Sequence, residues 1–306
     1  MKLLHKVLLV AVAVFVFWRI ERFCHKKTDG FQIVKIYSHL PASPQWATPP
    51  PIAQDMQDLQ DIFSQPFFFL DSGGQCYAFI SQDGKLVLKL FKMHHIRQYS
   101  LLHKIPLPGV FNYWKNQFLL LQERKLNRIF SSSQIAYTKL KKETGLLYLN
   151  LNPMPQLDNL HLTLIDKIGI EHRISLKNVP FVLQHKADNP FDMLRFHLLH
   201  RDMTAAKDVI RDIFECLAAR TQKGVVDTDP ALRRNIGLLK NQAISIDIGS
   251  FILAAEPMTI EDKKQELLND TRRMHRWLRK RSLELAGYLD SLIAEYPLTA
   301  RSQERE

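Results

Sequence analysis

Cysteine is scarce in this chain of 306 residues: Cys24, Cys76 and Cys216 stand far apart, with no CxxC pair and no even set. That excludes a disulfide framework and a cysteine-built zinc site, and it suits a reducing compartment. Acidic residues are also outnumbered, 31 Asp and Glu against 42 Lys and Arg, which leaves a formal net charge of +11. The imbalance favours an anionic partner, whether nucleotide, nucleic acid or lipid surface, and does not by itself choose among them. No zinc pattern or nucleic-acid motif accompanies the charge, so nucleic acid is not expected as a partner. Internal repeats are absent too. What is present is a 46% apolar fraction, enough for a real core, so disorder of the whole chain is excluded.

Long apolar runs are few. The notable one is "VLLVAVAVFVFW", Val7 to Trp18, which at twelve residues is short for a membrane span. Its length is that of a secretory core segment, yet the "RIERFCHKK" that follows offers no small-x-small cleavage site. Leu3, Leu4 and Ile20 extend the run if Lys6 snorkels to the interface. The expectation is an uncleaved, single-pass N-terminal membrane anchor over residues 1–27. Its heavier basic flank (Arg19, Arg22, Lys26, Lys27) would leave the main domain on the cytoplasmic side. Residues 28–65 include "LPASPQWATPPPIAQD" and read as a Pro-rich linker.

From Phe67 to Lys92 the pattern is strand, Gly-bearing turn, strand, "QDG" turn, strand. Tyr113 to Glu143 has helical spacing of apolar residues, with Ser131 to Ser133 as a break and new N-cap and Gly145 as a stop. "LHLTLID", "EHRISL" and "PFVLQHK" read as strands, and Asp192 to Gln222 as helix. Short strands at Asn235–Leu239 and Ala243–Ile246 flank an "LKNQ" turn, and basic helices follow. Strands early and helices late define an α+β protein of two lobes, 66–187 and 188–306, behind one N-terminal apolar helix.

Several polar segments fall in a telling order. "LDSGGQCYAF" is a Gly-bearing hairpin, "LVLKLFK" carries Lys89 on the next strand, "DTDPALRRN" runs from an Asp to an Asn, and "IDIGSF" is an Asp-x-Gly. Taken alone, each has an ordinary explanation: a hairpin turn, a surface lysine, a helix start, a strand end with a glycine turn. Taken together, over most of residues 66–251, they resemble the protein-kinase-like superfamily. "LDSGGQCYAF" is similar to its Gly-rich loop, with Gly73 aligned, Gly74 beside it, and Asp71 and Cys76 in the other two glycine places. "PFVLQHKADNPFDML" resembles the hinge between lobes, and "IFECLAARTQKGVV" the helix leading to the catalytic loop.

The resemblance implies a two-lobed kinase-like fold: an N-terminal antiparallel sheet with a helix, then a mainly helical C-terminal lobe. It implies ATP and Mg²⁺ as cofactors. Lys89 would touch the nucleotide phosphates, backbone N–H groups of Ser72, Gly73, Gly74 and Gln75 would cover them, and Glu123 or Glu143 would pair with Lys89. Asp229 would be the catalytic base, and Asn235 and Asp247 the metal ligands. Phosphoryl transfer needs charge neutralisation and in-line positioning more than covalent chemistry, and these residue types supply both. The loop departs from the family in carrying Asp227 and Thr228 where His and Arg are usual, and in spacing Asp229 from Asn235 by one extra residue. No Ala-Pro-Glu or long activation segment follows Asp247, which favours a small-molecule, sugar or lipid acceptor over a protein. The alternative is a pseudokinase that acts as a membrane-associated interaction module. The basic run "RRMHRWLRKR", Arg272 to Arg281, fits work at a membrane surface in either case.

Overall fold

The computed structural model describes residues 2–49, 51–94 and 108–297. Its elements begin with helices α1 (Lys2–Thr28) and α2 (Ala53–Phe63), followed by strands β1 (Phe67–Ser72), β2 (Cys76–Ser81) and β3 (Leu86–Phe91). Next come α3 (Gly109–Lys139), α4 (Lys141–Thr144), β4 (Leu146–Asn150), β5 (His161–Ile165), β6 (Glu171–Ser175) and β7 (Phe181–His185). The remainder is α5 (Pro190–Leu199), α6 (Met203–Gln222), β8 (Val225–Asp227), α7 (Leu232–Asn235), β9 (Ile236–Leu239), β10 (Gln242–Ser245), β11 (Phe251–Leu253), α8 (Ile260–Arg279) and α9 (Leu283–Glu295). The chain divides into two compact units. One comprises Met1–Ala42, Pro49–Pro106 and Asn152–Phe181; the other comprises Ser43–Thr48, Leu107–Leu151 and Val182–Glu306.

In the first unit the strands lie in the order β3-β2-β1-β5-β6. β1 pairs antiparallel with β2 (Phe67↔Ser81) and parallel with β5 (Phe67↔Leu164), and the β1–β2 register shifts between Phe69 and Asp71. Alternation along these strands sends Phe67, Tyr77, Phe79, Leu88 and Leu90 into the core, each at most 2% exposed. Two segments outside the sheet complete that core. Phe63, at the end of α2, stacks on Phe67 and Phe181 with ring centres 5.9 and 5.8 Å apart. Phe31, just after α1, meets Tyr77 and Phe79 edge-on at 5.2 Å each. Burying one such ring contributes roughly 2 kcal/mol.

This packing corrects the expectation of a linker over 28–65. Its prolines do punctuate the chain, but between them Phe31, Ile36, Trp46, Leu59 and Phe63 are buried, and α2 is a regular helix. As to the expected transmembrane anchor, among the described residues no helix is long and apolar enough to cross a membrane. α1 is helical for 27 residues, but Arg19, Glu21 and Arg22 end its apolar run directly after Trp18. That run is exposed, Phe17 by 74%. Gly30 closes α1 by donating its N–H to the His25 carbonyl at 2.9 Å, in a left-handed conformation (φ 71) that glycine adopts without strain.

In the second unit, α3 runs unbroken through Ser131–Ser133. The expected break is absent because the serine hydroxyls find partners: Ser133 bonds back to the Ile129 carbonyl at 2.9 Å, and Ser132 reaches across to the residue 248–251 segment. Gly145 does stop α4, at φ 60. α5 and α6 are capped by Asn189 and Asp202, whose side chains accept from Phe191 N and Ala205 N. α6, α8 and α9 bury Ile210, Phe214, Leu217, Leu267, Leu278, Leu285 and Leu289 in one cluster. β9 and β10 form a hairpin turned at Lys240 (φ 57), β4 neighbours β7, and β8 pairs antiparallel with β11.

Candidate functional site

The second unit brings the Asp-to-Asn segment and the Asp-x-Gly segment together through strand pairing. Asp227 at the end of β8 stands opposite Phe251 at the start of β11, so the loops after β8 and before β11 emerge side by side. Asp227 is buried, and its Oδ1 accepts from the Asp229 N–H at 2.9 Å and from the Ser250 hydroxyl at 2.6 Å. One carboxylate thus ties the start of one loop to the end of the other. Thr228 repeats the tie, its N–H and hydroxyl both donating to the Ser250 carbonyl at 3.1 and 3.0 Å.

Asn235 is the hinge of the arrangement. Its side-chain Nδ2 donates to the Asp229 carbonyl at 2.8 Å, and its own backbone carbonyl accepts from Ile246 N at 2.8 Å and Asp247 N at 3.5 Å. With Nδ2 committed, Oδ1 remains an acceptor on the residue bonded to Asp247. Asp247 itself is exposed, and its Oδ1 takes the Gly249 N–H at 3.0 Å, an Asx turn that fixes the carboxylate. Asp229 has a side chain 56% exposed, 3.9 Å from Arg234, an ion pair open to solvent and worth little on its own.

Behind these loops lies a charged core that the sequence pattern did not single out. Arg220 on α6 is 1% exposed and bonds Asp270 on α8, with Asp227 at 3.6 Å and Glu266 at 3.8 Å. Three carboxyls share one guanidinium. Burial pushes the pKa of Asp270 up to about 7 and raises that of Glu266, with Arg220 opposing in both cases. The signal was available in the spacing: Arg220 falls in step with Ile213 and Leu217 on an apolar face, and Asp270 in step with Leu267 and Met274. From α3, Ser132 donates to the Ile248 carbonyl at 2.5 Å and accepts from Phe251 N at 2.6 Å, while Arg128 holds the Thr228 hydroxyl at 2.7 Å.

In the first unit the β1–β2 hairpin carries Ser72, Gly73, Gly74 and Gln75. Two of its N–H groups are already engaged: Ser72 N bonds the Asp71 carboxylate at 2.8 Å and Gly73 N bonds the Cys76 carbonyl at 3.0 Å. Lys92, another residue that the sequence motifs pass over, clasps the turn by donating to the Ser72 hydroxyl at 2.9 Å and the Gly73 carbonyl at 2.5 Å. Lys89 lies on β3 opposite Ala78, half-buried. The two acids considered for Lys89 both lie in the second unit. Glu123 is exposed on α3, and Glu143 is buried with its Oε1 accepting from Lys223 at 2.5 Å.

Among the described residues no group of three or more His, Cys, Asp or Glu is placed to hold a metal ion. Asn235 and Asp247 offer a smaller set of hard oxygens. That set fits Mg²⁺, which keeps most of its waters and takes few protein ligands, better than it fits zinc.

No protein-family model matches the chain, and no curated protein matches it in sequence. Among the solved structures that are similar in part are two of low identity. One is the complex of Rv3197 with erythromycin from Mycobacterium tuberculosis, 14% identical over 76% of this chain and 66% of that one, with a TM-score of 0.31. The other is the ROP18 kinase domain in complex with AMP-PNP and sucrose, 12% identical over 75% of this chain and 73% of that one, with a TM-score of 0.33. The chain spans just under two thirds of the first. Likenesses this faint decide nothing about activity, and the functional reading rests on the residues themselves.

Proposed function

We propose that the protein is an ATP- and Mg²⁺-dependent phosphotransferase of kinase-like fold. The observation that carries this reading is Asn235: one side chain holds the Asp229 backbone, its main chain holds Asp247, and its Oδ1 is left over for a cation. In this reading Asn235 and Asp247 hold Mg²⁺, which neutralises phosphate charge when bound. Asp229 accepts the acceptor hydroxyl's proton, Lys89 bears on the nucleotide phosphates, and the hairpin at Ser72–Gln75 covers them. The acceptor is a small molecule, sugar or lipid. The exposed apolar stretch of α1 and the run Arg272–Arg281 support work at a membrane surface, on the cytoplasmic side in this reading.

One observation favours the second reading, a pseudokinase serving as an interaction module: the N–H groups of Ser72 and Gly73 are spent within the hairpin. Thermal melting of the full chain with and without ATP and Mg²⁺, in parent and Asp247→Ala, separates the two. Phosphotransferase chemistry requires a metal-dependent rise in the parent, about 2.7 kcal/mol at a hundredfold excess over Kd, that the substitution removes. A well-folded parent showing no rise would overturn it and leave the module.

A further inference from the structure

A hollow of about 480 Å³ opens in the first unit, with Lys26, Lys35 and Lys92 in its wall beside Ser72 and Gly74 of the hairpin, and Asp29 the one acid among its described lining residues. Asp29 pairs with Lys167 at 2.5 Å, and three lysines against that one acid leave the wall net positive. The hollow lies away from Lys89. In the β2–β3 pairing Ala78 faces Lys89 and Tyr77 faces Leu90, so strand alternation sends Lys89 and Tyr77 to opposite sides of the sheet. Lys92 sits over the Tyr77 ring, 4.4 Å from its centre, and therefore on the Tyr77 side.

The lysines are held in place with donors to spare. Lys35 gives one N–H to the Gly30 carbonyl at 2.8 Å, and Lys92 gives two, to Ser72 and Gly73; each ammonium has three. Burial lowers the pKa of both; Glu21 opposes it at Lys35, and at Lys92 Cys76, Asp71 and Asp29 oppose while Lys35 adds to it. An anion bound among these lysines would offset their mutual repulsion. Point-charge donors lining one hollow suit a phosphate, whose several oxygens can accept from more than one of them.

We propose that this hollow, which borders the Ser72–Gly74 turn on the face of the sheet opposite Lys89, is a phosphate-binding site in which Lys35, Lys92 and Lys26 hold a phosphate group presented by a lipid headgroup or by a free phosphorylated compound. The helix that supplies Lys26 is the one whose exposed apolar run ends at Trp18, ~12 Å of helix away. A lipid would therefore meet apolar residues and cations on one continuous element.

The test uses the full chain and two probes: vesicles of phosphatidylcholine with and without phosphatidic acid, and inorganic pyrophosphate followed by calorimetry. Lys35→Gln is compared with Arg22→Gln, which removes the same charge from α1 outside the hollow. Lys26→Gln, on an exposed helix end, replaces Lys35→Gln if that variant melts early. The site predicts a loss of about fivefold in binding for the hollow variant and a smaller one for Arg22→Gln. Dependence on phosphatidic acid points to the lipid, and lysine-dependent pyrophosphate binding without vesicle binding points to the free compound. Equal losses in the two variants, or no binding of either probe, would overturn the site.

Discussion

Ser132 is a small residue with a large reach. Its hydroxyl both donates to Ile248 and accepts from Phe251, so it fixes the segment around Asp247 from a helix more than a hundred residues away. Ser132→Ala leaves two buried backbone groups without their partner, at a cost of about 2–3 kcal/mol. Urea unfolding of parent and variant checks this, and an unchanged midpoint would remove Ser132 from the framework of the site. At this scale the sequence was only partly legible. Asp229, Asn235 and Asp247 stood out because Asp, Asn and Gly in that order suggest phosphate chemistry, and the structure brings all three together. The serines read as a helix break because serine favours caps, and nothing local says that the partners lie at 248 and 251. Arg220 and Asp270 escaped although their step with Ile213, Leu217, Leu267 and Met274 marks an inward face, because charged residues are ordinarily read as exposed.

Elements were more legible than their contacts. Strands β1, β2 and β3 and the hairpin β9–β10 follow from alternation and turn residues, and α6 from helical periodicity. β4 was missed because "LLYLN" is buried almost throughout, and continuous burial erases the alternation that marks a strand. α2 was missed because the surrounding prolines drew attention from Leu59 and Phe63, a single buried stripe. Gly145 shows how far local chemistry does reach. It ends α4 at φ 60, and a Cβ there would lie 2.8 Å from Ile244 Cδ1. Gly145→Ala should cost about 1–2 kcal/mol through the left-handed backbone alone, more if the Ile244 side chain cannot move aside. A melting midpoint equal to the parent's would show that the turn relaxes.

The molecule as a whole carries a net charge of +11, yet the buried Arg220 is surrounded by acids: Asp227 and Asp270, themselves buried, and the partly buried Glu266. A proton settles the imbalance. Asp270 Oδ1 has no hydrogen-bond partner among the described residues, which favours the neutral acid, in keeping with a pKa raised from 3.8 to about 7. The sign follows from the folded form holding the proton more tightly than the unfolded one. The stability that this carboxyl contributes is complete below about pH 4 and is lost as pH rises to about 7. Asp270→Asn keeps an acceptor for Arg220 and cannot ionise. Melting of both proteins from acid to neutral pH should show the parent losing ground to the variant across that window, and a constant difference would refute the shift.

Phe31 has a further consequence for anyone who shortens this chain. Trimming the apolar N-terminus and the Pro-rich stretch, with a new start near Gln54, is the obvious route to a more tractable protein. It would take away the ring that covers Tyr77 and Phe79, the Trp46 that stacks on Phe130, and the Gly30 carbonyl that receives Tyr77. What looks like a dispensable leader is part of the interior. The shortened molecule would emerge with its sheet unclothed and would seek a substitute for the lost surface in its neighbours.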